Sequence, residues 1–131
     1  MKTSDMSTGI GVQIRGTFDI AVTRQHIRKL SRELAWPPEL CLRGIAAMTA
    51  LAETIYFRER QRDEPLVVYI HVLDQDGVNG IELHADADFV TIAKEYPLAR
   101  WNLERVCNKL NVVHEDGFDH IVLSVWSNGR R

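Results

Sequence analysis

The sequence predicts an α+β fold, a two-layer sandwich in which a mixed or antiparallel sheet carries three or four helices on one face. Three observations support this. Apolar residues alternate at both ends of the chain, two long stretches near the start have helical periodicity, and the middle and end each contain two strand-like runs joined by a glycine turn. At 131 residues and 15.0 kDa the chain is the size of one domain. It can bury roughly two-thirds of its unfolded surface, so it folds without disulfides or metals. We expect one domain over 1–131, with polar, frayed ends at 1–8 and 127–131.

The elements follow in order. Ile10, Val12 and Ile14 alternate with Gly11 and Gln13, the period of a short strand. Asp19 is the expected N-cap of a helix with Ile20, Ile27, Leu30 and Leu34 on one stripe and Arg24, Arg28 and Arg32 on another face. Trp36-Pro37-Pro38 ends it, and Pro38 opens a second helix to about Arg58, because proline's missing N–H is not needed in a first turn. From Gly44 to Ala52 this second helix is apolar almost all round, which places it centrally against the sheet. A charged exit, Arg58 to Glu64, leads into the β-branched run Leu66 to Leu73. Asp76-Gly77 and Asn79-Gly80 signal a turn, and Ile81 to His84 returns as the second arm of a hairpin. Short helices are expected over Asp86 to Tyr96 and over Leu98 to Leu110, the latter burying Leu98, Trp101, Val106 and Leu110. Asn111 to His114 and Phe118 to Trp126, joined at Gly117, form a closing hairpin.

Composition excludes several classes of function. Sixteen Lys and Arg against 18 Asp and Glu give a net charge of −2, which argues against a broad nucleic-acid or anionic-membrane footprint. Neither a signal-peptide pattern nor a membrane-length apolar run is present, so the cytoplasm is the expected compartment. Cys41 and Cys107 form no metal-binding or redox motif and read as reduced thiols. The five histidines, 26, 71, 84, 114 and 120, lack metal-binding helix spacing, although His71 and His84 can fall on neighbouring strands; no metal site is expected.

Several strings occur in a telling order and spacing: Phe18-Asp19-Ile20, Arg24-Gln25, Arg28 and Glu33-Leu34 on the first helix, Leu51-Ala52 and Ile55-Tyr56 on the second, and the closing hairpin to Trp126. Together they resemble the anti-sigma-factor and switch serine/threonine kinases. These belong to the GHKL superfamily with its histidine-kinase-like ATPase fold, and the layout is nearest to the stressosome switch kinases. The likeness runs from about Val12 to Trp126.

The resemblance implies three chemical features, and this sequence departs from each. A Glu and an Asn one helical turn apart serve such kinases as base and magnesium ligand, but here the positions are Ala50 and Thr54. The Asp-x-Gly-x-Gly turn that reads adenine corresponds to His84 through Val90, with Asp86 and Asp88 but no glycine. The glycines that wrap the phosphates correspond to Tyr96 through Trp101, where Pro97 removes a donor. None of the 8 glycines lies between Ile81 and Asp116.

The expected function is therefore that of a catalytically inactive, kinase-like regulatory protein in a partner-switching circuit. It would bind a STAS-domain antagonist, a sigma factor or its own copy, without a cofactor. The alternative is an ATP- and magnesium-dependent serine/threonine kinase with a rearranged site built on Glu53, Thr54 and Asp86 or Asp88. One of Asp86 and Asp88 is expected instead to be the N-cap of the helix that follows. Arg24, Arg28 and Arg32 are the candidate partner-binding residues. The old nucleotide pocket is expected to be narrow, or filled by Phe89, Leu98 or Trp101.

Overall fold

The computed structural model describes residues 9–56 and 65–127. The charged exit Arg58 to Glu64 and the polar ends, except Ser127, lie outside the described residues. The elements are β1 (Ile10–Ile14), α1 (Thr17–Glu33), α2 (Pro38–Tyr56), β2 (Leu66–Gln75), β3 (Val78–Ala87), α3 (Phe89–Glu95), α4 (Ala99–Glu104), β4 (Lys109–Glu115) and β5 (Phe118–Trp126).

The five strands form one sheet in the order β1-β2-β3-β5-β4, antiparallel at every pairing. Four helices pack on one face, giving the expected two-layer α+β sandwich. Register and side-chain alternation fix which residues meet the helices. Ile81, Leu83, Ala85 and Ala87 of β3 turn inward with Ile121, Leu123 and Val125 of β5. Glu82, His84 and Asp86 turn to the opposite face. The core closes on Ile20 and Ile27 from α1 and on Leu40, Met48, Leu51 and Ile55 from α2. Gly44, Ala47 and Ala52 are also buried, so α2 sits centrally as its composition predicts.

Local chemistry explains the boundaries. Gly16, not Asp19, is the N-cap of α1; Asp19 lies in the first turn, where its carboxylate accepts the Arg15 N–H at 2.8 Å. The helix ends in a Schellman pair, Trp36 N–H to Ser31 O at 3.0 Å and Ala35 N–H to Arg32 O at 3.3 Å, with Ala35 at φ +53°. Buried Trp36 anchors that turn.

Two expectations about the middle of the chain are corrected. β3 continues to Ala87, because the ladder to β5 pairs Asp86 with His120 and Ala87 with Asp119, so α3 begins only at Phe89. Asp88 caps it, accepting from the Thr91 N–H at 3.1 Å. The next helix stops at Glu104 and β4 starts at Lys109, because this stretch pairs with β5 from Ser124 onward. α4 is only six residues long and buries Ala99 and Leu103, one turn apart. Leu98 and Trp101 fall outside that stripe and are 57% and 58% exposed, contrary to their expected burial.

The last strand is fastened to α2. Arg43 donates to the Trp126 carbonyl and, at 2.8 Å, to Asn108 Oδ1, which also accepts the Trp126 N–H at 2.7 Å. Ser127, expected to be frayed, donates its N–H to Asn79 O at 2.8 Å and its hydroxyl to Glu39 at 3.0 Å.

Candidate functional site

On the outer side of α2, between α1 and α4, the helices leave a cleft of about 580 Å³. From α1 come Arg24 and Arg28, four residues apart and hence on one face. α2 supplies Thr49, Ala50, Glu53 and Thr54 together with Ile45 and Ala46. The third wall is Tyr96 with Asn102, Arg105 and Val106.

That third wall is held by its own hydrogen bonds. Arg105 Nε donates to Asn102 Oδ1 at 3.2 Å, and Asn102 Nδ2 donates to the Tyr96 hydroxyl at 3.2 Å. The Arg105 guanidinium also lies over the Trp101 ring, 5.4 Å from its centroid. On the opposite wall neither Arg24 nor Arg28 makes an ion pair among the described residues. The cleft lining thus carries three guanidinium groups and one carboxylate, Glu53, on a chain whose net charge is −2.

Two polar atoms in the lining have no hydrogen-bond partner among the described residues, Arg24 Nε and Thr54 Oγ1. Thr54 is 3% exposed. Buried donors and acceptors without partners are uncommon; two belong to residues of this cleft, and Trp36 Nε1, away from it, is another.

The sequence-derived candidates divide. Ala50, Glu53, Thr54, Arg24 and Arg28 all line the cleft. Arg32 does not; it borders a separate hollow with Trp36, Pro38 and Leu42. Asp86 points from the sheet face opposite the helices, where it holds His120 Nδ1 at 2.6 Å. Asp88 is engaged in capping α3. Phe89, Leu98 and Trp101, expected to fill a nucleotide pocket, do not line this cleft: Phe89 is drawn into the core while Leu98 and Trp101 are exposed. Sequence reasoning missed Arg105, Asn102 and Tyr96, whose only signal was a run of polar side chains within a short helical segment.

The sheet's helix-free face carries a second polar arrangement. His84 Nε2 meets Glu82 at 2.8 Å and its Nδ1 meets His120 Nε2 at 3.0 Å. His71, buried on β2, packs edge-on against His84 with ring centroids 4.6 Å apart. This fulfils the expectation that His71 and His84 fall on neighbouring strands. Among the described residues no group of three or more His, Cys, Asp or Glu has metal-binding geometry. Burial pushes the Cys107 thiol up to about 11, which suits an unreactive thiol.

Comparison with solved structures finds the same fold in a chain of the SiaB–SiaC complex from Pseudomonas aeruginosa. The TM-score is 0.61 at 10% identity, over 97% of this chain and 96% of that one. At such low identity the likeness is one of fold. No protein-family model matches the sequence, and no curated protein matches it. Among the described residues no helix is long and apolar enough to cross a membrane.

Proposed function

We propose that this chain is a kinase-like regulatory module of a partner-switching circuit, acting by protein–protein contact without phosphoryl transfer. The observation that carries the reading is the dispersal of the would-be nucleotide residues. Glu53 and Thr54 line the cleft, while Asp86 is bound to His120 across the sheet and Asp88 is spent on a helix cap. Ala50 has no proton-accepting group at the position where the resembling kinases hold their base. A phosphoryl-transfer site needs its base, metal ligand and base-reading carboxylate around one cavity, and here they do not converge.

Two further observations support binding as the function. The structural neighbour belongs to a complex of two different proteins. Trp101 on α4 and Leu98, the residue before that helix, are both exposed, and an exposed tryptophan is a frequent interface anchor. In this reading the partner is a STAS-domain antagonist, a sigma factor or a second copy, and competition between partners sets the output.

Calorimetry with ATP and magnesium, paired with label transfer from ATP to a STAS-domain protein, tests the proposal. The expected result is no magnesium-dependent binding and no transfer. Magnesium-dependent ATP binding tighter than about millimolar, weakened by Glu53→Ala, would overturn it in favour of a kinase with a rearranged site.

A further inference from the structure

We infer that the cleft between α1, α2 and α4 is a binding site for a small organic anion bearing carboxylate or phosphate groups, held by arginines rather than through a metal ion. Charge is the first argument. Arg24, Arg28 and Arg105 line one cavity in which Glu53 is the only carboxylate among the described residues, and there Arg24 and Arg28 have no ion-pair partner. Three guanidinium groups against one carboxylate leave the described lining with an excess of positive charge. An oxyanion would balance that excess, and the planar guanidinium fork suits both carboxylate and phosphate oxygens.

The buried orphans supply the second argument. Arg24 Nε and Thr54 Oγ1 are shut away from solvent without partners, which costs free energy unless something else satisfies them. Thr54 is 3% exposed and belongs to the cleft lining, so a ligand atom bonds its hydroxyl only with a small shift of that wall. Its hydroxyl can donate or accept, and Arg24 Nε can only donate. Together they ask for an acceptor-rich ligand.

Size and lining describe the rest of the molecule. About 580 Å³ falls within the usual range for small-molecule pockets and far exceeds an inorganic anion. Ile45, Ala46, Ala50 and Val106 give the cleft an apolar side, so the ligand has an organic body as well as its anionic head. This inference goes beyond the regulatory reading and stands whether or not a protein partner binds.

The test titrates the full chain with citrate and, separately, with inorganic pyrophosphate as head-group probes, without magnesium and at low salt. Saturable binding by either is expected, and which of the two binds tighter identifies the head group. Arg28→Gln, an exposed change that leaves the core intact, should weaken it about tenfold, as should Arg24→Gln. Thr54→Val should weaken it several-fold, and Arg32→Gln, outside the cleft, should leave it within about twofold. A thermal melt of each variant separates lost binding from lost fold. Absence of saturable binding by both probes, or binding indifferent to Arg28→Gln, overturns the inference. Neither result touches the ATP experiment above, which judges the regulatory proposal alone.

Discussion

His84 on β3 and His120 on β5 face each other ring to ring, Nδ1 to Nε2 at 3.0 Å, and each gives its other nitrogen to a carboxylate. The sequence Glu82, His84, His120, Asp86 is therefore one continuous chain of three contacts. The chain ties β3 to β5 on the sheet face away from the helices, alongside the backbone pairing of Asp86 with His120.

This chain makes stability depend on pH. The hydrogen bond from His84 holds the Glu82 carboxyl below its ordinary value of 4.5, against the opposing push of partial burial. A depressed folded-state value means that ionised Glu82 favours the fold. Its contribution is complete above the unfolded value and fades as pH falls through the folded one. Denaturant midpoints measured between about pH 3 and pH 7 should fall on the acid side. In Glu82→Gln that slope should be shallower, and parallel curves would show that the contact adds nothing.

Asp119 is a sharper case. It is 4% exposed on β5, and its carboxylate accepts the Val90 N–H at 3.1 Å and meets His114 Nδ1 at 2.5 Å, tying α3 to the sheet. Burial pushes its carboxyl up, but the His114 contact and the N–H groups of Val90 and Phe89 outweigh this and hold it below the usual range. Asp119→Ala should cost about 1–3 kcal/mol by chemical denaturation, because it leaves the N–H groups at the start of α3 without their carboxylate acceptor. His114→Ala removes a largely exposed partner and should cost less than about 1 kcal/mol. Equal losses in the two variants would contradict the assignment.

Two glycines should respond in opposite ways. A Cβ at Gly80 would sit 2.8 Å from both the Trp126 ring and the Val125 carbonyl, so Gly80→Ala should destabilise by about 1–3 kcal/mol. At Gly44 a Cβ meets only ordinary contacts, 3.5 Å and beyond, inside a helix. Gly44→Ala should be neutral or stabilise by about 0.5–1 kcal/mol. Thermal melts of the two variants decide the matter.

Trp101→Ala should change stability by no more than about 0.5 kcal/mol, since the side chain is exposed and outside the buried stripe of α4. A loss of several kcal/mol would return Trp101 to the core, where its helical spacing with Leu98, Val106 and Leu110 placed it.

The fold was legible wherever one period ran long enough. α2 could be placed centrally because apolar residues surround it from Gly44 to Ala52, and both hairpins followed from their turn glycines. Short segments misled. Between Asp86 and Leu110 helical spacing persists through residues whose conformation is decided by pairing with β5, a non-local contact that periodicity cannot register. The cleft was half legible. Arg24 and Arg28 share a helix face at readable spacing, but Arg105 joins them only through tertiary packing. Asp86 could not be separated from the cleft until the strand register put it on the other side of the sheet.

The stacking of Arg105 over Trp101 gives the molecule an optical gauge of its own cleft. Three tryptophans occupy distinct surroundings: Trp36 buried, Trp126 half-buried and Trp101 open to solvent. A polar quencher therefore reaches Trp101 first. The guanidinium 5.4 Å above that indole belongs to a side chain that also lines the cleft. Whatever draws Arg105 inward withdraws a positive charge from the face of the most accessible fluorophore, so occupancy of the cavity becomes readable as a change in emission without any label.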